Sequence, residues 1–368
     1  LLLSSIMHRA AAAAPVLAAA AFAVKARYVT TDEHSAVLAM CSLGPWQCLK
    51  AVPWRLEFFL KLRPLAGQVE TLAGEQLRRQ WKPRPQDVVV AVPPKSGTTL
   101  LLQVTHQLRR GGVWLDDEFE DQTDIIPQLE GGPASLLPQN DINKDQVASP
   151  RLFKSHLRFR SCPEDVKRIY CFRDIKDVLV SDWAFTASIL ESDVPLDSYA
   201  FMRVVPGGVD RALKDLCDWW EHRHDPQVCL LFFDDLLEDR FECVRRLQRF
   251  LDLEEDPGLA STVAAQSSHE FMSRPENHSK FDDHKIVQEI DRLRGLRRSR
   301  PLTGKVRHGG GRSGQGAVLL PDSVQSWIDW RWKCIVQHRL GFANPAEMRA
   351  VWAREREEGG KVTDAIAA

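Results

Sequence analysis

Residues 87 to 110 read DVVVAVPPKSGTTLLLQVTHQLRR, and no other stretch constrains the fold as tightly. The run 87 to 92 is short, β-branched and bounded by an aspartate and a proline pair. A run of this kind suits a parallel strand buried on both faces. Residues 98 to 110 carry apolar positions at helical spacing and read as an amphipathic helix. The chain must therefore turn from strand to helix within PPKSG. Such a loop ends at a helix N-terminus, where free backbone N–H groups and the helix dipole favour an anion. Lys95 adds a full positive charge, Ser96, Thr98 and Thr99 add hydroxyl donors, and Gly97 lets backbone approach a ligand closely.

This is not the loop that binds nucleoside triphosphates. That motif places its lysine after a second glycine. Here Lys95 precedes the glycine, and Pro93 and Pro94 stand upstream of it.

The alternation of strand and helix continues. RLFKS (151–155), KRIYCF (167–172) and QVCLLFF (227–233) read as strands. KDVLVSDWAFTASIL (176–190) and residues 234–253 read as helices, and a tryptophan-rich helix is expected near 321–340. Strands alternating with helices predict an α/β protein with a parallel sheet covered on both faces. A further helix is expected over Trp54 to Gln80, ended by the prolines of WKPRPQD, and REREEGG reads as a solvated helix end.

The totals exclude some classes. Hydrophobic residues make up 44% of the 368, enough to fill a core, and the net charge of −1 offers no basic field for nucleic acid. The eight cysteines form no C-x-x-C pair, so neither a zinc cage nor a redox motif is expected, and no metal site. Residues 10–24, AAAAAPVLAAAAFAV, are too few for a confident membrane span. They resemble the apolar part of a targeting peptide, with an alanine-rich leader or an anchor as the other readings. The expected layout is a leader over 1–50, one domain over 51–345, and a C-terminal helix or tail over 346–368.

P-K-S-G-T-T after a strand resembles the signature of the PAPS-dependent sulfotransferases, soluble cytosolic type, and five further segments follow in that family's order. RLFKSHL (151–157) is similar to its strand ending in K-T-H or K-S-H. RIYCFRDIKDVLVSDW (168–183) is similar to its R-N-P-K-D-x-x-V-S stretch, with the same eight-residue step from Arg173 to Ser181. DWWEHRHDPQVCLLFFDDLLED (218–239) and QSSHEFM (266–272) follow, and a glycine-rich basic loop at 305–316 stands where the family has R-K-G-x-x-G-D. The resemblance covers roughly residues 54–345.

That resemblance implies a P-loop-hydrolase-like three-layer sandwich and transfer of a sulfuryl group from PAPS to a hydroxyl or amine of a small molecule. Lys95 and the backbone of 96–99 would cradle the 5′-phosphosulfate. His156 would be the general base, with Lys154 two residues earlier on the same strand face reaching the sulfuryl oxygens. Arg173 and Ser181 would hold the 3′-phosphate, helped by Arg307, His308 and Gly309 or by Arg312. Leu100, where the family often has tryptophan, and Ser267 would lie near the adenine. The acceptor pocket is expected from 112–140, 184–210 and 271–300, with the acidic run Asp116–Asp121 either a solvated loop or a filter on acceptor charge. The location implied is cytoplasmic, or an organelle if 10–24 is an address, with no stable membrane span; the oligomeric state stays open.

Three other readings remain at this point. A P-loop kinase or NTPase needs a second loop glycine and a magnesium-binding aspartate. A non-catalytic PAP- or nucleotide-binding module need not keep Lys154 and His156. A Golgi-type glycan sulfotransferase would use 10–24 as its anchor.

Overall fold

The computed structural model describes residues 50–51, 53–58, 60–61, 79–130, 141–204, 208–295, 297–302, 305–306 and 311–367. Arg307, His308 and Gly309, the leader up to residue 49, and most of the expected helix before residue 79 lie outside the described residues.

Four parallel strands form the sheet: β1 (Val88–Ala91), β2 (Leu152–Ser155), β3 (Lys167–Phe172) and β4 (Val228–Phe232), in the order β2-β1-β3-β4. Gln128 adds a single parallel bridge to Lys154 at the β2 edge. Every strand residue except Lys167 is buried, as the unbroken apolar runs require.

The two-residue period of the strands sorts these side chains into two cores. Val89, Ala91, Phe153, Tyr170, Phe172, Leu230 and Phe232 face one side. They pack with α2 (Ile175–Leu190), α3 (Leu196–Val204) and α4 (Gly208–Glu221). Val88, Val90, Leu152, Ile169, Cys171, Cys229 and Leu231 face the other, with α1 (Thr98–Arg109). The result is the three-layer α/β sandwich expected of the sequence. From β1 the chain crosses to one side and, after β2, to the other, so the strand order reverses between β1 and β3. In open α/β sheets that reversal marks the ligand-binding crevice, at the carboxyl ends of the strands.

The helix expected over 234–253 divides into α5 (Phe233–Glu238) and α6 (Arg240–Phe250). Asp239 breaks it, with non-helical backbone (φ −138°, ψ 72°), and its side chain accepts the Glu242 N–H at 3.0 Å and so starts a new helix. Next come α7 (Pro257–Gln266), α8 (His284–Arg294), α9 (Gln315–Leu319) and α10 (Asp322–Trp332).

The last helix, α11 (Pro345–Ala367), covers the segment expected as a helix or tail, and its first turns belong to the core. Met348 and Trp352 are buried, and the Trp352 indole donates to the Leu230 carbonyl at 3.1 Å. Arg349 pairs with Asp235 at 2.5 Å, and Glu355 with Arg223 at 2.9 Å. Replacing Trp352 by alanine should therefore cost about 3–5 kcal/mol, read as a lower urea midpoint, whereas a solvated tail would leave the midpoint unchanged.

Candidate active site

The phosphate loop leaves the carboxyl end of β1, beside the reversal. The Ser96 N–H bonds the Pro93 carbonyl at 3.1 Å, and both Lys95 (φ 66°) and Gly97 (φ 100°) adopt left-handed backbone. The first bond of the α1 ladder runs from the Leu101 N–H to the Gly97 carbonyl at 3.0 Å. The N–H groups ahead of it have no partner within the helix. The Thr98 hydroxyl is buried beside them and makes no hydrogen bond among the described residues. A buried hydroxyl and free amides at a helix start fit an anion.

Gly97 is constrained from behind as well. A Cβ there would meet the Phe233 ring at 2.9 Å. The other side of the cluster is Arg173, whose guanidinium lies over that same ring, 4.5 Å from its centroid.

Arg173 follows β3 and is buried. It donates from Nη1 to the Lys95 carbonyl at 3.0 Å and from Nη2 to the Arg312 carbonyl at 3.1 Å. It thus joins the phosphate loop to the glycine-rich loop. Asp174 starts α2 by accepting the Lys176 N–H at 2.7 Å. Ser181 lies two turns on, half-buried. The buried Asp177 accepts the N–H groups of Gly314 (2.9 Å) and Gly316 (2.7 Å), and a Cβ on Gly316 would meet the Lys176 backbone at 2.3 Å. This docks residues 311–316 against the start of α2. The Arg312 side chain is exposed there, while its carbonyl serves Arg173.

The third group sits at the end of β2. Lys154 is register partner to Val90 and faces α1. Its ammonium bonds Asp283 at 3.0 Å. Burial lowers its pKa, but Asp283 together with Asp121 and Glu130 outweighs burial and raises it. His156 follows the strand, half-buried, and its Nδ1 lies 2.7 Å from the Val92 carbonyl. A carbonyl only accepts, so Nδ1 carries the proton and the lone pair is on Nε2. Burial, with help from the charges of Lys154 and Lys305, holds His156 down to about 3. The Glu130 carboxylate accepts the His156 backbone N–H and fixes the residue in place.

The loop, Arg173, Lys154 and His156 thus lie at the carboxyl ends of β1, β2 and β3, with Phe185 of α2 beside the loop. The Lys95 ammonium is 3.9 Å from the Phe185 ring centroid. Ser267 caps α7, buried, with its hydroxyl bonded to the Val263 carbonyl at 2.7 Å. Leu100 is half-buried against the α1-side core.

Sequence reasoning missed Asp283, Lys305, Glu130 and the Phe233 wedge. Asp283 fell in a segment set aside for the acceptor, and Lys305 opened a basic loop read for its arginines. Their partners are far apart in sequence, so no local pattern announced them. The acidic run was also only partly a solvated loop. Asp121 is wholly buried and accepts the Thr123 N–H at 3.0 Å, and Lys285 pairs with Asp124 at 2.8 Å.

The sulfotransferase domain family matches residues 85–299, more than half of the chain. This chain belongs to that family. Human Sulfotransferase 1E1 is 29% identical over 57% of this chain and 74% of its own length. Human Sulfotransferase 4A1 is 33% identical over 50% of this chain and 64% of its own. Two crystal structures share the fold. Retinol dehydratase, complexed with retinol and PAP, superposes with a TM-score of 0.53 at 19% identity, covering 68% of the sulfotransferase and 82% of that chain. Mouse sulfotransferase SULT7A1, complexed with PAP, gives 0.51 at 16%, covering 77% and 93%. Among the described residues of the sulfotransferase, none group to hold a metal and no helix is long and apolar enough to cross a membrane.

A second buried histidine makes one electrostatic consequence measurable. His106 on α1 is 1% exposed, and burial, with Arg109 and Arg110 nearby, holds it down to about 3. Its folded pKa lies below the unfolded value of 6.5, so below that pH the unfolded chain binds the extra proton and stability falls as pH falls. The loss is at most about 1.4 kcal/mol per pH unit for one histidine. Urea unfolding between pH 6.5 and 4.5 should show a shallower decline in His106→Gln than in wild type; parallel curves would refute this account.

Proposed function

We propose that this sulfotransferase moves the sulfuryl group of PAPS in line to a hydroxyl or amine of a small molecule, with His156 as the base. The observation that carries this reading is the His156 ring: Nδ1 donates to Val92, which leaves the Nε2 lone pair as its only basic site. It stands beside Lys154 at the end of β2, where the crevice opens. PAPS supplies an activated sulfuryl group on a good leaving phosphate. The protein's own contribution is positioning and charge neutralisation. Lys95, Ser96 through its hydroxyl, the 97–99 amides and the Thr98 hydroxyl would hold the 5′ end and the leaving oxygen. Lys154 would neutralise the sulfuryl oxygens, and His156 Nε2 would take the acceptor's proton.

Arg173 and Ser181 would hold the 3′-phosphate, since a guanidinium fork matches phosphate oxygens. Leu100 and Ser267 belong to the adenine end of this reading, and Arg312, Arg307, His308 and Gly309 to the 3′ clamp. The relatives include an amine sulfotransferase from rabbit, 26% identical, and the retinol dehydratase complex holds an apolar alcohol. An apolar alcohol, a phenol or an amine is the acceptor class that follows, in the cytoplasm. Residues 51–345 with the docked start of α11 would form one catalytic unit, preceded by the leader.

Thermal shift with PAP, AMP, ADP and ATP separates this from the kinase and NTPase reading. PAP at about 100 times its Kd should stabilise the protein by roughly 2.7 kcal/mol, and AMP far less. Ser181→Ala should weaken the PAP shift without changing the unliganded melt. Arg173→Ala should abolish it, and will also loosen the loop it bonds. A shift with ATP and none with PAP would refute the proposal. Separately, His156→Gln should keep the PAP shift and lose 10²- to 10⁴-fold in turnover, about the usual contribution of a positioned base. Unchanged turnover would remove His156 from the chemistry.

A further inference from the structure

Lys305 is the strongest feature that the proposed mechanism leaves unused. Its ammonium bonds Asp283, on the same carboxylate oxygen that Lys154 bonds at 3.0 Å. It also lies over the Phe185 ring, 5.6 Å from the centroid, the ring that Lys95 covers at 3.9 Å. Three ammonium groups from three separate segments thus gather around one ring and one carboxylate. Lys305 is not a surface lysine, since its side chain is only 13% exposed. Its backbone is fastened to the same turn, for the Lys305 N–H bonds the Asp282 carboxylate at 3.0 Å. That turn is itself held. Asp282 pairs with His278 at 3.0 Å, and Asp283 sits in left-handed backbone (φ 53°) at the start of α8.

We propose that Lys305 is a third donor-binding ammonium, sharing the donor's terminal sulfonate with Lys154, and that the Asp283 carboxylate is the internal counter-ion which that sulfonate displaces. The inference rests on the PAPS reading above. Lys154 and Lys305 share the one Asp283 oxygen, and an anionic sulfonate can supply to both the charge that this carboxylate supplies. A sulfonate has three oxygens, enough to serve Lys154 and Lys305 together. A carboxylate and a sulfonate on the same pair of lysines would repel, so they compete.

The electrostatics agree with the geometry. Against the effect of burial, Lys154 and Lys305 hold Asp283 well below the usual carboxylate range, so it is charged in the unliganded protein. Burial, with the neighbouring Lys154 charge, lowers Lys305 to about 8. The other groups facing Lys305 are Asp121 from the 116–124 loop, Asp282 from its own turn, His156 from the β2 end and Lys95 from the phosphate loop. The carboxylates among them help keep it protonated near neutral pH, while Lys154 and Lys95 add to the excess charge that an anion relieves.

Isothermal titration of PAP and of PAPS, without acceptor, tests this on the full chain. PAP has no sulfonate. Lys305→Gln should weaken PAPS roughly tenfold and PAP much less, while Lys305→Arg keeps both. Asp283→Asn should tighten PAPS by removing the competitor. In wild type the PAPS Kd should rise as pH passes about 8, because binding then takes up a proton; in Lys305→Arg it should stay flat. Equal losses for PAP and PAPS in Lys305→Gln would overturn the sulfonate role. Weaker PAPS binding in Asp283→Asn would overturn the counter-ion role. A wild type that binds neither ligand would instead overturn the donor reading beneath both.

Discussion

The site hangs on one aromatic ring. Phe233, the first residue after β4, fills the space under Gly97 so closely that no side chain fits there, and it also carries the Arg173 guanidinium, 4.5 Å from the ring centroid. Arg173 in turn bonds the carbonyl of Lys95, a residue in left-handed backbone. An L-residue in that conformation costs of order 1 kcal/mol or more unless its surroundings hold it. The ring and the guanidinium hold it. The same guanidinium bonds the Arg312 carbonyl, so β4, the phosphate loop, the end of β3 and the glycine-rich loop meet at one cluster. A shift in any of these would move the loop amides.

The two ends of the sheet treat charge in opposite ways. At the amino ends of β1 and β2, Arg151 and Asp87 are both buried and form a two-pronged pair at 2.9 and 2.6 Å. The remaining Arg151 donors reach carbonyls of Lys82 and Asn143. That arrangement is balanced, as a buried structural pair must be. At the carboxyl ends, Lys154 and Lys305 share the carboxylate of Asp283, and Lys95 and Lys305 share the Phe185 ring. A folded protein tolerates such an excess only where the strand ends open to a crevice, which is where the reversal of strand order lies.

The sandwich was legible because its strands are short apolar runs and their partners are dictated by burial on both faces. KRIYCF matched β3 residue for residue, and the loop and α1 followed from PPKSG and the helical spacing after it. Lys154 and His156 were legible for the same reason, since they sit on and just past a strand whose direction fixes the end they occupy. What was not legible depends on contacts across long separations. Asp283 meets Lys154 across 129 residues, and Phe233 meets Gly97 from the far edge of the sheet. The break at Asp239 was missed because a helical pattern continues through it, and only the side-chain cap on Glu242 divides the helix. Gly97 was read as making room for a ligand. Its packing on Phe233 gives a second and sufficient reason for glycine.

The charge cluster also bears on the order of events at His156. Its basicity is depressed by burial first and then by the ammonium groups of Lys154 and Lys305. Burial acts whether or not a ligand is bound, but the repulsion from the lysines does not. An anion that draws on both ammonium groups cancels their effect on the ring and makes a protonated His156 less costly, so the base strengthens when the donor is in place. An acceptor arriving without that anion would meet a His156 whose basicity both lysines still depress. Donor binding and base strength are thereby coupled through one field, with no movement of His156 required. This favours donor before acceptor on electrostatic grounds alone.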